Sequence, residues 1–184
     1  MEFIQNADDA GAKQVMFEIS NNAVRISNSG RPFIAKDVDS ICSVGRSSKP
    51  IEDYIGYLGV GFKSVFLISD SPTVHSDGYH FRFDKSHWQN AAQLPWQIMP
   101  VWVNEGHDEK WNTVFAVPLK HTEISETIRN GISRETLDRR ILLFLRNLNE
   151  IIVCDGDMQV RDIIRRDLGQ NLYELEERGK GILL

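Results

Sequence analysis

Cysteine is scarce in this chain of 184 residues: Cys42 and Cys154 stand alone. That excludes a disulfide framework and leaves no cysteine pair at zinc-ligand spacing. A reducing, intracellular and cytoplasmic setting is the expectation. No apolar run approaches the ~18 residues of a membrane span. The first residues, MEFIQNADDA, are acidic and polar where a secretory signal would be basic and then apolar. An excess of positive charge is also lacking. Lys plus Arg total 21 against 26 Asp plus Glu, a formal net charge of −5, so general affinity for nucleic-acid backbones is not expected, while a local anion site stays open. There is no internal repeat or low-complexity stretch. What is present, 41% hydrophobic and 26% charged residues, is the composition of a globular domain with a sizeable core.

Periodicity and turn residues give the organisation. Residues 2 to 10 read as a helix with Phe3, Ala7 and Ala10 as its apolar stripe and Gly11 as its stop. Val15, Phe17 and Ile19 then alternate with polar neighbours, as do Val24 and Ile26 beyond Asn21-Asn22, which predicts a hairpin. Lys36 to Cys42 predicts a short helix burying Val38, Ile41 and Cys42, followed by a glycine-bearing loop from about Ser43 to Gly61 and a buried helix beginning at Phe62. Val74 to Phe83 predicts a second hairpin, and Ile98 to Val103 with Thr113 to Leu119 a third. The clearest helical pattern runs from Ser133 as N-cap through Leu137, Ile141, Phe144, Leu145 and Leu148. Ile151–Val153 and Met158–Val160 flank Asp155-Gly156-Asp157 as one more hairpin, and residues 156–184 read as a tail or the start of a following domain.

Two stretches carry chemistry. Glu2, Asn6 and Asp9 are spaced four and three apart, so a helix puts all three on one face beside its apolar stripe. A carboxylate and an amide oxygen one turn apart suit a magnesium-nucleotide site, the amide donating one oxygen to a hard cation and the carboxylate orienting a water. On spacing alone a solvated polar face is the commoner outcome. The second stretch is Gly56-Tyr57-Leu58-Gly59-Val60-Gly61-Phe62-Lys63-Ser64. Glycines before a helix let backbone N–H groups approach a phosphate, and Lys63 adds positive charge. Tyr57 stands where a Walker loop needs its first glycine, and no strand with G-x-G-x-x-G supports a dinucleotide fold. A structural loop remains the bland alternative.

The order of these parts resembles the Bergerat ATP-binding fold of the ninety-kilodalton heat-shock chaperone, type II topoisomerases, mismatch-repair ATPases and histidine kinases. Glu2-Phe3-Ile4-Gln5-Asn6-Ala7-Asp8-Asp9-Ala10-Gly11-Ala12 is similar to that family's N box. Tyr54-Ile55-Gly56 through Phe66, His75 to Phe81, and Leu142 to Leu148 resemble the branch of sacsin and the plant protein NO VEIN. The resemblance covers residues 2 to 154.

It implies an α+β two-layer sandwich over residues 1–155, a mixed, mostly antiparallel sheet covered by helices on one face, with ATP and magnesium as cofactors. Glu2 is then the catalytic base and Asn6 the magnesium ligand. Asp9, Asn28, Gly30, Gly56, Gly59, Val60, Gly61, Phe62, Lys63 and Thr113 surround the nucleotide beneath a mobile lid of residues 43 to 58. The implied use is slow hydrolysis coupled to lid closure in a chaperone-like or regulatory multidomain protein, acting on neighbouring domains or protein clients, with pairing to a second copy as a further partner. A non-hydrolysing nucleotide-binding or interaction module is the alternative. Asn28 replaces the adenine-reading Asp of D-x-G-x-G, Pro32 its second glycine, and Asn112 a glycine common before the threonine. The family places a strand and a helical turn ahead of its base, so the expectation is either that upstream residues are missing or that hydrolysis is weak.

The remaining candidates read as structural. His75, His80, His87, His107 and His121 lack metal-ligand spacing, the four tryptophans read as packing, and Asp155-Gly156-Asp157 as a turn.

Overall fold

A computed structural model describes residues 1–43, 62–104 and 110–179. The chain opens with α1 (Glu2–Asp9), closed by Gly11 at φ +76°, a left-handed conformation that glycine adopts without strain. β1 (Gln14–Ile19) and β2 (Ala23–Asn28) form the expected hairpin, with Phe17 opposite Ile26. Then follow α2 (Ala35–Ile41), a 3-10 turn at Phe62–Ser64 that runs into α3 (Val65–Ile68), and the hairpin of β3 (Thr73–Ser76) and β4 (Tyr79–Arg82). The second half contains β5 (Val101–Trp102), β6 (Thr113–Pro118), α4 (Glu123–Gly131), a 3-10 helix at Arg139–Phe144, β7 (Glu150–Asp155), β8 (Met158–Gly169) and β9 (Leu172–Arg178).

All nine described strands join one mixed sheet in the order β5-β4-β3-β6-β2-β1-β7-β8-β9, antiparallel throughout except for β1 beside β7. One face, carrying Val15, Phe17, Ile26, Val74, Phe81, Phe115, Val153 and Ile163, shares a single core with Ile4, Ala7, Ile41, Leu142 and Leu148 from the helical segments. The protein is therefore α+β, and α1 lies on the face toward which Asn28 and Thr113 are also in phase.

Three expectations need correction. Within α1 the fully buried residues are Ile4, Ala7 and Asp8, while Phe3 and Ala10 are only half-buried. The third predicted hairpin does not form. β5 pairs with β4 at the sheet edge, whereas β6 enters between β3 and β2, because Val114 is buried on the face opposite Thr113 and Phe115, so the strand has two covered faces.

The predicted helix from Ser133 to Leu148 is also absent. α4 lies earlier, and Arg139–Phe144 is a 3-10 helix started by Asp138, whose carboxylate accepts from Arg140 N–H at 2.7 Å. Side chains of β8 replace the α-helical ladder. Arg161 donates to the carbonyls of Ile132 and Leu137, and Arg165 to those of Leu142 and Leu145. Leu137, Leu142, Leu145 and Leu148 still reach the core, but Leu143 and Phe144 face solvent.

The turn at Asp155-Gly156-Asp157 holds as expected, with Gly156 at φ +58°. Beyond it β8 is twelve residues long and returns as β9 through Gln170 and Asn171, both at positive φ as a tight hairpin turn requires.

Candidate functional site

On α1 the side chains of Glu2, Asn6 and Asp9 fall within about 60° of each other around the axis. Ile4 and Ala7 hold the opposite side in the core. Asn6 Oδ1 is shut away from solvent and has no hydrogen-bond partner among the described residues. An orphaned amide oxygen normally costs of order 1–3 kcal/mol, and this one keeps its lone pairs for a cation or a donor. Asp8, one residue before Asp9, does something different. Its buried carboxylate accepts from the backbone N–H groups of Arg146, Asn147 and Leu148 at 3.0, 2.6 and 2.8 Å, and its carbonyl accepts from Asn147 Nδ2 at 2.9 Å. This ties α1 to the segment that enters β7.

A second group of polar residues lies at the ends of the central strands. Asn28 on β2 is in register with Thr113 on β6, and Thr113 with Ser76 on β3. All three are at most 5% exposed. Ser76 Oγ and Thr113 Oγ1 are 2.6 Å apart, Phe33 N–H donates to Ser76 Oγ at 2.8 Å, and Ser76 reaches the Asn112 carbonyl at 3.2 Å. Asn28 Oδ1 accepts from Gly30 N–H at 3.0 Å, which bends the chain after β2 back against the end of α1. There Arg31 N–H donates to Ala10 O at 2.8 Å. A Cβ at position 30 would sit 2.8 Å from Ala10 Cβ and 3.0 Å from Asn28 Oδ1, so only glycine fits. Asn112 Nδ2 fastens the same turn through Gly30 O at 2.8 Å.

Phe115, two residues beyond Thr113, joins these parts. Its ring lies 5.2 Å from Phe3 of α1, 6.2 Å from Phe33 after the turn, and 5.8 Å from Phe62, which follows the glycine stretch. Phe62 is buried in an aromatic cluster with Phe66 and Phe83, so its ring serves packing. Lys63 Nζ donates to Ile41 O at 3.2 Å, at the negative end of α2, and burial lowers its pKa from the usual lysine value. Cys42, beside it, is pushed up to about 11 by burial, with Lys63 opposing the shift, so it is no ready nucleophile. Asp37 is pushed up by burial but held below the usual carboxylate range by Arg31 and Ile34 N–H. That pair fixes the start of α2 to the turn.

The structure thus brings α1, the Asn28–Gly30 turn, Thr113 and the start of the Phe62 segment together around Phe115. It turns Lys63 onto α2. Gly56, Gly59, Val60 and Gly61, with most of the expected lid, lie outside the described residues. Asp8 and Ser76 were missed in the sequence. Asp8 was detectable, because it is the one carboxylate in phase with Ile4 on the buried side of α1; Ser76 carries no sequence signal. Among the described residues no three or more His, Cys, Asp or Glu side chains are grouped to hold a metal, and no helix is long and apolar enough to cross a membrane.

No protein-family model matches the chain. It is 30% identical, over an alignment of 200 residues, to Protein NO VEIN of Arabidopsis thaliana. The match takes in 93% of this chain but only 7% of that protein's length.

Proposed function

We propose that the chain is a Bergerat-type domain that binds ATP with magnesium and hydrolyses it slowly. The observation that carries the reading is the buried, partnerless Oδ1 of Asn6, on the same stripe of α1 as Glu2 and Asp9. A hard cation prefers such an oxygen. In this reading Asn6 would hold magnesium, whose charge would offset that of the phosphates. Glu2 accepts the proton of the attacking water, Asp9 supports the pocket, and Asn28 and Thr113 take the base at the ends of β2 and β6. Gly30 keeps the base turn against α1. Gly56, Gly59, Val60 and Gly61 would supply backbone N–H groups to the phosphates, and Phe62, which follows them in sequence, is buried in the core. Lys63 would have to leave Ile41 O to reach a phosphate.

Similarity to a small part of a much longer protein supports reading the domain as one module among several, in a cytoplasmic chain of the NO VEIN type. Lid closure on the nucleotide would then be passed to neighbouring domains or protein clients. The replacement of the base-reading carboxylate by Asn28 favours a second reading, a nucleotide-binding or interaction module without hydrolysis.

Isothermal titration of the folded chain with magnesium-ATP should show one site that Asn6→Ala abolishes. Phosphate release that survives Glu2→Ala unchanged would remove the catalytic assignment, and no heat of binding at all would remove the nucleotide.

A further inference from the structure

Asn28 is only 5% exposed, and Gly30 N–H, 3.0 Å away, fixes which amide atom points at the turn. That atom must be the oxygen, because an amide nitrogen there would set two donors against each other. The atom left without a partner among the described residues is therefore Nδ2, a donor. Beside it, Thr113 Oγ1 is already engaged with Ser76 Oγ at 2.6 Å.

A carboxylate at position 28 would present only acceptors, which welcome the exocyclic amino group of adenine and repel the carbonyl oxygen of a 6-oxopurine. The amide, with its donor turned away from Gly30 N–H, removes that preference. We infer that Asn28 reads the base as a hydrogen-bond donor, so that the pocket admits 6-oxopurine nucleoside triphosphates on equal terms with ATP. The inference rests on the nucleotide reading above and extends it to the class of base.

The experiment compares magnesium-ATP with magnesium-ITP, which differ only on the edge of the base, by isothermal titration of the folded 184-residue chain. The dissociation constants are expected within about threefold of each other. Asn28→Asp, which preserves the acceptor for Gly30 N–H, should move the ratio toward ATP by about tenfold or more, the scale of one base-edge pair. If the unaltered chain prefers ATP to ITP by more than about tenfold, the donor assignment fails while the nucleotide reading stands. If neither nucleotide binds a chain that circular dichroism shows to be folded, the nucleotide reading falls and takes this inference with it. The ratio for the unaltered chain decides the matter even where the Asp variant does not fold.

Discussion

A single carboxyl on the sheet face away from the core makes stability depend on pH. Asp162 of β8 is only 8% exposed, and its carboxyl lies beside that of Glu150. Burial first, and then the neighbouring charge and carboxyl of Glu150, raise its pKa from the usual aspartate value; Glu176 adds to this and Arg178 opposes it. A carboxyl whose folded pKa is raised stabilises the fold only while protonated. The contribution is complete below the unfolded value near 3.8 and is lost as pH rises through the higher folded value. Asp162→Asn should accordingly raise the melting temperature at pH 7 by about 2–4 °C, the scale of about 1 kcal/mol in a chain of this size. At pH 3 the same variant should melt with its parent. A melting curve at each pH checks both halves.

At the scale of elements, position depends on partners more than on propensity. The segment from Ser133 to Leu148 has the apolar content of a helix, yet it is held as a 3-10 turn and an extended strap. Arginine side chains from β8 occupy its carbonyls, and Asp8 of α1 occupies three of its N–H groups. Asp8→Ala takes the acceptor from three N–H groups, of which that of Leu148 is buried, so the variant should lose about 3 kcal/mol of stability. Hydrogen exchange locates the effect: the amides of Arg146, Asn147 and Leu148 should become the fastest-exchanging of the segment, while those of β6 keep their protection.

At the scale of the whole molecule, one buried guanidinium fastens the last hairpin to the rest. Arg161 is 1% exposed, contacts Glu177 of β9 at 3.0 Å, and reaches across to the carbonyls of Ile132 and Leu137. Glu177 also pairs with Arg134 at 2.9 Å. Arg161→Leu leaves the carbonyls of Ile132 and Leu137 short of a donor and Glu177 with Arg134 alone, and should cost about 3 kcal/mol. Urea unfolding should show a lower midpoint with an unchanged slope, because the area exposed on unfolding is the same. An unaltered midpoint would mean that β8 and β9 are held by their backbone pairing alone.

The sequence by itself determined the short-range structure: α1 with its Glu2, Asn6 and Asp9 face, the β1–β2, β3–β4 and β7–β8 hairpins, and the turn at Asn28–Gly30. Each follows from periodicity or turn chemistry within about ten residues, where few alternatives compete. Only the tertiary structure decided that β6 sits between β2 and β3, that Asp8 and Arg161 replace a helical ladder, and that Lys63 turns to Ile41. Those outcomes depend on which buried polar groups find partners far away in the chain, and a donor or acceptor taken out of water accepts whichever partner the packing brings to it.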